Sequence, residues 1–388
     1  MHGNTASTLS VNQEQLYAYA LSHIPGVGYL TARSLWQYAG SCTALFTQAD
    51  LPAGLPRPIR DKLLPYLHNT AYLREAEQTL AEAESAGVRL VSVAEEAYPY
   101  RLRECPDAPL LLFTTGSPQV LQQEHIVAVV GTRKADRYGR ETTYKLIREL
   151  HDLVPHLVIV SGLAYGVDIA AHKAALELGI PTVAVLGHGL DRIYPAAHRA
   201  TAIEMLDKGA LLTEYPFRST PDRFHFVQRN RITAGLCDLV LVVQSAHRGG
   251  SLITAHIANS YSRLVAAVPG RISDELSGGC NRLIADQVAF SALSGADIAV
   301  QAEWLTPQEG LFSRREAQAE REQKKLPEGL SEPATRIMAL LLRDGGCTVD
   351  ALCRELGLEV SDVSFELFTL ENLDLVEAAP GGVFISKV

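Results

Sequence analysis

Two stretches carry the residue types that bind phosphate. Residues 157–172 read LVIVSGLAYGVDIAAH: an apolar run ends at Ser161 and Gly162, passes Ala164, Tyr165 and Gly166, and resumes with helical spacing. An apolar run without alternation is what a parallel strand covered on both faces requires. Small side chains at the turn let a ligand approach the backbone, and a helix starting there aims unpaired N–H groups at it. Anions, phosphate above all, suit that end of a helix. Taken alone, such a turn serves equally well to pack helix on strand. Residues 126–130 (IVAVV) repeat the arrangement, followed by Gly131, Thr132, Arg133, Tyr138 and Gly139. Two such turns at adjacent strand ends would form one groove. Neither has the Gly-Lys-Ser/Thr ending of a P-loop or the full G-x-G-x-x-G fingerprint, so no nucleotidase or hydride-transfer device is expected.

The sequence after the other apolar runs adds polar groups. Residues 187–195 read GHGLDRIYP and include Arg192, with His198 and Arg199 close behind. Residues 214–216 (EYP) lead to FVQRNR, which ends in Arg229, Asn230 and Arg231. His247 and Arg248 precede Gly249, Gly250 and Ser251. These strand ends thus direct polar or Gly-rich loops to one rim. Guanidinium forks there can bond phosphate or fix the loop that does; internal bracing is the preferred reading for Arg231. Asp168 and Asp191 are expected to cap a helix and a turn rather than to catalyse.

These residues are positioned by six apolar runs, 126–130, 157–160, 182–186, 210–213, 239–243 and 264–268, alternating with helical spacing. That pattern predicts an α/β fold with a mainly parallel sheet and helices on both faces, whose ligands sit beyond the C-terminal strand ends. Ahead of it, residues 72–86 read as an amphipathic helix, and 88–93 and 110–113 as strands extending the sheet. Residues 1–70 read as helix, Gly-rich turn (IPGVG) and helix, which resembles a helix-hairpin-helix or SAM-like domain; a small helical packing module is an equal alternative. Residues 51–58 (LPAGLPRP) form a connector within it. Residues 71–300 make the main domain, 301–330 a charged linker containing SRREAQAEREQKK, and 331–388 three helices closed by a hairpin, the pattern of a winged helix.

The chain has 388 residues, 47% of them apolar, enough for two or three domains. No apolar run approaches the roughly 20 residues of a membrane span, and the N-terminus lacks a secretory pattern, so a cytoplasmic protein without membrane association is expected. The six cysteines include no C-x-x-C pair, so reduced thiols are expected and neither a metal nor another cofactor is. A net charge of −9 hides a division: residues 126–290 carry 18 Lys and Arg against 15 Asp and Glu, while the rest carries 17 against 29. The middle is mildly basic, and local potential governs steering.

The combination GTR…YG, SGLAYGVD, VAVLGHGLDRIYPAAH, TEYP, FVQRNRI, GGSLITA and VPG resembles the DNA-processing protein A (DprA/Smf) family over about residues 98–284. The resemblance implies an extended Rossmann-like domain that binds single-stranded DNA, forms a homodimer and loads RecA during natural transformation. It assigns Arg133 and Arg192 to phosphate or base contacts, with Gly131, Thr132, Ser161, Gly162, Gly250 and Ser251 as the floor. His198, Arg199, Arg229, Asn230 and Arg231 complete the expected DNA-binding set. Two positions depart from the family pattern. Tyr165 stands where a basic residue is frequent, which permits base stacking, and Gln244-Ser245-Ala246 replaces a Glu-Ala start.

Two other functions compete. Phosphoribohydrolases of a related Rossmann-like fold carry a catalytic Glu near a Gly-Gly pair, whereas Gly249-Gly250 leads into SLITAH with no carboxylate. A transcription factor would read duplex DNA with its winged helix, yet residues 361–377 contain no Lys or Arg.

Overall fold

A reciprocal cap starts the first helix. Asn12 Oδ1 accepts the Glu14 N–H at 2.9 Å while the Asn12 N–H donates to Gln15 Oε1, which defines α1 (Gln13–Ser22). The computed structural model describes residues 11–48, 55–310, 330–344, 346–373, 375–379 and 382–387. Most of the charged stretch expected as a linker (311–329), residues 51–54 of the connector, and Pro380 and Gly381 of the hairpin turn lie outside the described residues. The chain divides into two compact units, Met1–Trp304 and Leu305–Val388.

In the first unit, Gly26 lies at φ +80° in the turn between α1 and α2 (Tyr29–Ala39), and its carbonyl accepts from Lys62 Nζ at 3.1 Å. Then come α3 (Cys42–Thr47), α4 (Arg57–Leu67) and α5 (Thr70–Ser85). α1 packs on α5 and on the first two strands, β1 (Arg89–Ser92) and β2 (Leu111–Gly116). The short α6 (Tyr100–Arg103) separates those strands. The helical region and the sheet thus share one core.

Alternation follows. The remaining strands are β3 (His125–Val130), β4 (Leu157–Ser161), β5 (Thr182–Val185), β6 (Ala210–Thr213), β7 (Leu239–Val242), β8 (Leu264–Ala267) and β9 (Phe290–Ser291). Between and after them lie α7 (Arg137–Leu153), α8 (Val167–Glu177), α9 (Arg199–Met205), α10 (Arg223–Gln228), α11 (Asn230–Gly235), α12 (Gly250–Ser260), α13 (Gly278–Ala285) and α14 (Gly295–Gln301). Among the described residues the sheet has nine strands in the order β1-β2-β6-β5-β4-β3-β7-β8-β9. β3 to β9 pair in parallel, and β1 and β2 join antiparallel beyond β6. All residues of β4, β5, β6 and β7 are buried, as the unalternated runs require. Successive strands travel one way from β3 to β6 and the other way from β7 to β9, so the connections diverge between β3 and β7. Open α/β sheets hold ligands at such a divergence.

The second unit contains α15 (Glu332–Asp344), β10 (Cys347–Thr348), α16 (Val349–Leu356), α17 (Val360–Asn372), β11 (Val376–Ala379) and β12 (Val383–Ser386). Ile337, Met338, Leu352, Val363, Leu367 and Leu370 form its core. β10 was not expected; it pairs with β12 and completes a three-stranded sheet.

Candidate nucleic-acid interface

The loops leaving β3 and β7 are fastened together. The Thr132 N–H donates to the Gln244 carbonyl at 2.7 Å, and Gln244 Nε2 donates to Asp136 Oδ1 at 3.0 Å. Asp136 also caps α7 by accepting the Gly139 N–H at 2.8 Å. Residue 139 must be glycine for this, because a Cβ there would lie 2.1 Å from Gln244 Oε1. Gln244 is therefore the clasp between the two lips.

Above these lips opens a cleft of about 880 Å³. Gly131, Thr132 and Arg133 line it from the end of β3, and Gly249, Gly250 and Ser251 from the start of α12. Gly249 makes no side-chain cap, so the N-terminal end of α12 faces the cleft with the polarity that attracts anions. Arg192 enters from the loop after β5, and Arg229 and Asn230 from the junction of α10 and α11.

The arginines differ in kind. Arg133 is exposed, makes no ion pair among the described residues, and lies 5.6 Å over the Phe226 ring. Phe226 in turn sits 5.8 Å from Tyr194, so a cation and two aromatic faces follow one another along the wall. Arg192 is held by its neighbour Asp191 at 2.6 Å, which offsets its charge. Arg229 is 5% exposed; it donates to the Gly162 carbonyl and to Thr233 Oγ1, both at 3.4 Å, and its Nε finds no partner. Burial lowers the Arg229 pKa and raises that of Asp168, and the charge of each partly restores the other.

Family profiles and relatives place the chain as a whole. The profile of the DNA recombination-mediator protein A family matches residues 89–303, more than half of the chain. The chain belongs to the DNA recombination-mediator protein A family. A DprA winged helix domain profile matches residues 321–382. DNA processing protein DprA of Streptococcus pneumoniae is 43% identical over 55% of this chain and 74% of that protein. Protein Smf of Synechocystis is 29% identical over 95% and 98%. The X-ray structure of the Streptococcus pneumoniae protein superposes with a TM-score of 0.62 at 36% identity, covering 76% of this chain and 99% of that one.

Against that mediator fold, several expected residues stand elsewhere. At the turn after β4 part of the backbone is already used: the Val167 N–H, first in α8, donates to the Thr132 carbonyl at 3.2 Å, and the Ala164 N–H to Asp168 at 3.4 Å. Gly166, at φ +78°, has no room for a Cβ, which would come 2.1 Å from the Thr132 oxygen. Ser161 is buried and donates its hydroxyl to the Val129 carbonyl at 2.6 Å. Ser161 and Gly162 therefore fit one loop onto the next rather than floor the cleft. Tyr165, His198 and Arg199 also lie off the cleft lining. His198 donates from Nδ1 to the Leu163 carbonyl at 2.7 Å and meets Tyr165 edge-on. Arg231, included in the expected set but read by preference as an internal brace, is one: it pairs with Glu214, donates to the Asp107 carbonyl at 2.6 Å and stacks 3.8 Å over Tyr29.

Sequence reasoning did not single out Arg223 and Phe226, which line the cleft. The signal was present in RFHFVQ, where a cation and an aromatic three residues apart share a helix face. Among the described residues, no three His, Cys, Asp or Glu could hold a metal ion, and no helix is long and apolar enough to cross a membrane.

Proposed function

We propose that the cleft binds single-stranded DNA without strong sequence preference and that the protein, as a cytoplasmic homodimer, uses it to load RecA during natural transformation. The observation that carries this reading is the row of Arg133, Phe226 and Tyr194 beside the start of α12. Cations neutralise phosphates of any sequence, and aromatic faces stack any base. Thr132, Arg133, Arg192, Arg229, Asn230, Gly250 and Ser251 are the residues assigned to contact with the strand, joined by Arg223. The domain division at 70, 300 and 330 belongs to the same reading, with the winged helix as an accessory module.

A phosphoribohydrolase needs a carboxylate free to act on the sugar. Asp168 is the carboxylate on the cleft lining, and it is buried beside Arg229 and bonded to the Ala164 N–H. We therefore assign binding without turnover. The test is a titration of single-stranded and duplex oligonucleotides over a range of salt, with a parallel assay for released base or phosphate. Single strands of different sequence should bind alike with a steep salt slope. Base release lost on mutating Asp168 would establish the enzyme instead.

A further inference from the structure

Just outside the cleft, the start of α7 leaves a cation and an aromatic face unused. Residues 131–140 read GTRKADRYGR, four cations against one carboxylate. That carboxylate, Asp136, already accepts from the Gly139 N–H and from Gln244 Nε2. Arg137 pairs with Glu141 at 2.6 Å, and Arg140 donates to the Ala135 carbonyl at 2.6 Å. Lys134 is exposed and makes no ion pair among the described residues. Its N–H donates to Thr132 Oγ1 at 3.2 Å, a tight turn that sets it directly after the cleft-lining Arg133.

Tyr138 is 48% exposed, and among the described residues it has neither a ring partner nor a hydrogen bond. A lone exposed tyrosine is ordinary; its place on α7 makes this one informative. One flank of α7 meets α8, where Tyr144 Oη donates to Glu177 Oε1 at 3.0 Å, and another meets α14, where Glu149 Oε2 accepts the Gly295 N–H at 2.8 Å. Tyr138 stands eleven residues before Glu149, close to three full turns, so it shares the flank of Glu149. α8 covers β3, β4 and β5, so the flank of Tyr138 is the one toward β7, where the cleft opens. Its neighbour Gly139 abuts Gln244, which fastens this end of α7 to the lip.

We propose that a single strand held in the cleft continues across the start of α7, with one base stacked on the Tyr138 ring and a phosphate at Lys134. This rests on the single-stranded DNA reading of the cleft and adds a second platform to it. An open ring accepts any base but needs one whose face is uncovered, so the platform favours single strands over duplex. An unpaired cation next to Arg133 continues the positive potential along the backbone path.

The test uses the full chain and oligothymidylates of about 4 and about 16 nucleotides, the span of single-strand site sizes. Titrations run at low salt, where phosphate contacts are strongest, and the short strand is read by competition against the labelled long one. Tyr138→Ala should weaken the long strand about tenfold, or about 1.4 kcal/mol, and leave the short strand unchanged. Tyr138→Phe should keep long-strand affinity, because stacking needs the ring and not the hydroxyl. Lys134→Ala should reduce the long-strand salt slope by about one ion. Alanine suits an exposed helical site, so wild-type melting is expected of the Tyr138→Ala variant. Unchanged long-strand affinity in Tyr138→Ala, equal weakening of both lengths, or a loss in Tyr138→Phe equal to that in Tyr138→Ala would overturn the platform. Arg133→Ala should weaken both lengths. If it does so while Tyr138→Ala is silent, the platform alone fails; if Arg133→Ala weakens neither length, the cleft reading fails.

Discussion

Arg229 occupies the space that a side chain on residue 162 would need. A Cβ built on Gly162 would lie 1.9 Å from Arg229 Nη1, so this glycine provides close approach and not backbone freedom. Gly162→Ala is expected to force the guanidinium out of its seat, at about 1–3 kcal/mol, and to weaken single-stranded DNA binding. Urea unfolding and an oligonucleotide titration check both effects; wild-type values for both would refute the role of the seat.

The two exposed arginines should separate in salt dependence. Arg133 makes no ion pair among the described residues, so Arg133→Ala should reduce the salt slope by about one ion. Arg192→Ala should reduce it less, because Asp191 already offsets that charge. Equal reductions would show that DNA displaces the Asp191 pairing.

Arg231 belongs to the same FVQRNR motif but to a different task. Its side chain and that of Glu214 are 4% and 6% exposed, and removing one member of a buried pair leaves the other charge unpaired. Arg231→Ala should cost about 3–5 kcal/mol, measured by urea unfolding. A variant of full stability with reduced DNA affinity would restore Arg231 to the binding set.

His172 makes the fold sensitive to acid. The Thr182 hydroxyl donates to the Ile159 carbonyl at 2.9 Å, so His172 Nδ1 must donate to Thr182 and Nε2 remains a buried, unpartnered acceptor. Burial lowers its pKa to about 3. The folded value lies below the unfolded one of about 6.5, so this stabilisation is complete above pH 6.5 and is lost as pH falls toward 3. The expected loss is about 1.4 kcal/mol per pH unit in that window. Urea midpoints at pH 7 and 5 measure it, and His172→Asn should flatten the difference.

The winged helix should not contribute to strand binding. α17 and β11 carry Asp362, Glu366, Glu371 and Glu377; Asp374, between them, lies outside the described residues. Phe365 and Phe368 of α17 are exposed, a surface suited to protein contact more than to phosphate. Deleting residues 331–388 should leave single-stranded DNA affinity unchanged or improved. A tenfold loss, about 1.4 kcal/mol, would place the strand on this unit.

The strands and the rim were legible because continuous apolar runs and Gly-rich loops are local signals. Ile126 to Val130 could be read as a buried strand without knowing its neighbours. What was illegible depended on three-dimensional pairing. The bracing role of Arg231 was the preferred reading, yet nothing local shows that Arg229, two residues before it, is also buried, against the Gly162 carbonyl. The turn after β4 has the composition of an anion site, yet its Val167 N–H is taken by the Thr132 carbonyl from another loop. β10 escaped notice because two residues, Cys347 and Thr348, carry no periodicity.

The Gln244 clasp has a mechanical consequence. It ties the β3 and β7 lips into one wall that rises from the sheet. The opposing wall is α10, which buries none of its residues and meets the buried α11 at Arg229. The two walls are therefore held unequally: hydrogen bonds tie one to the sheet, while the other joins the buried core at Arg229.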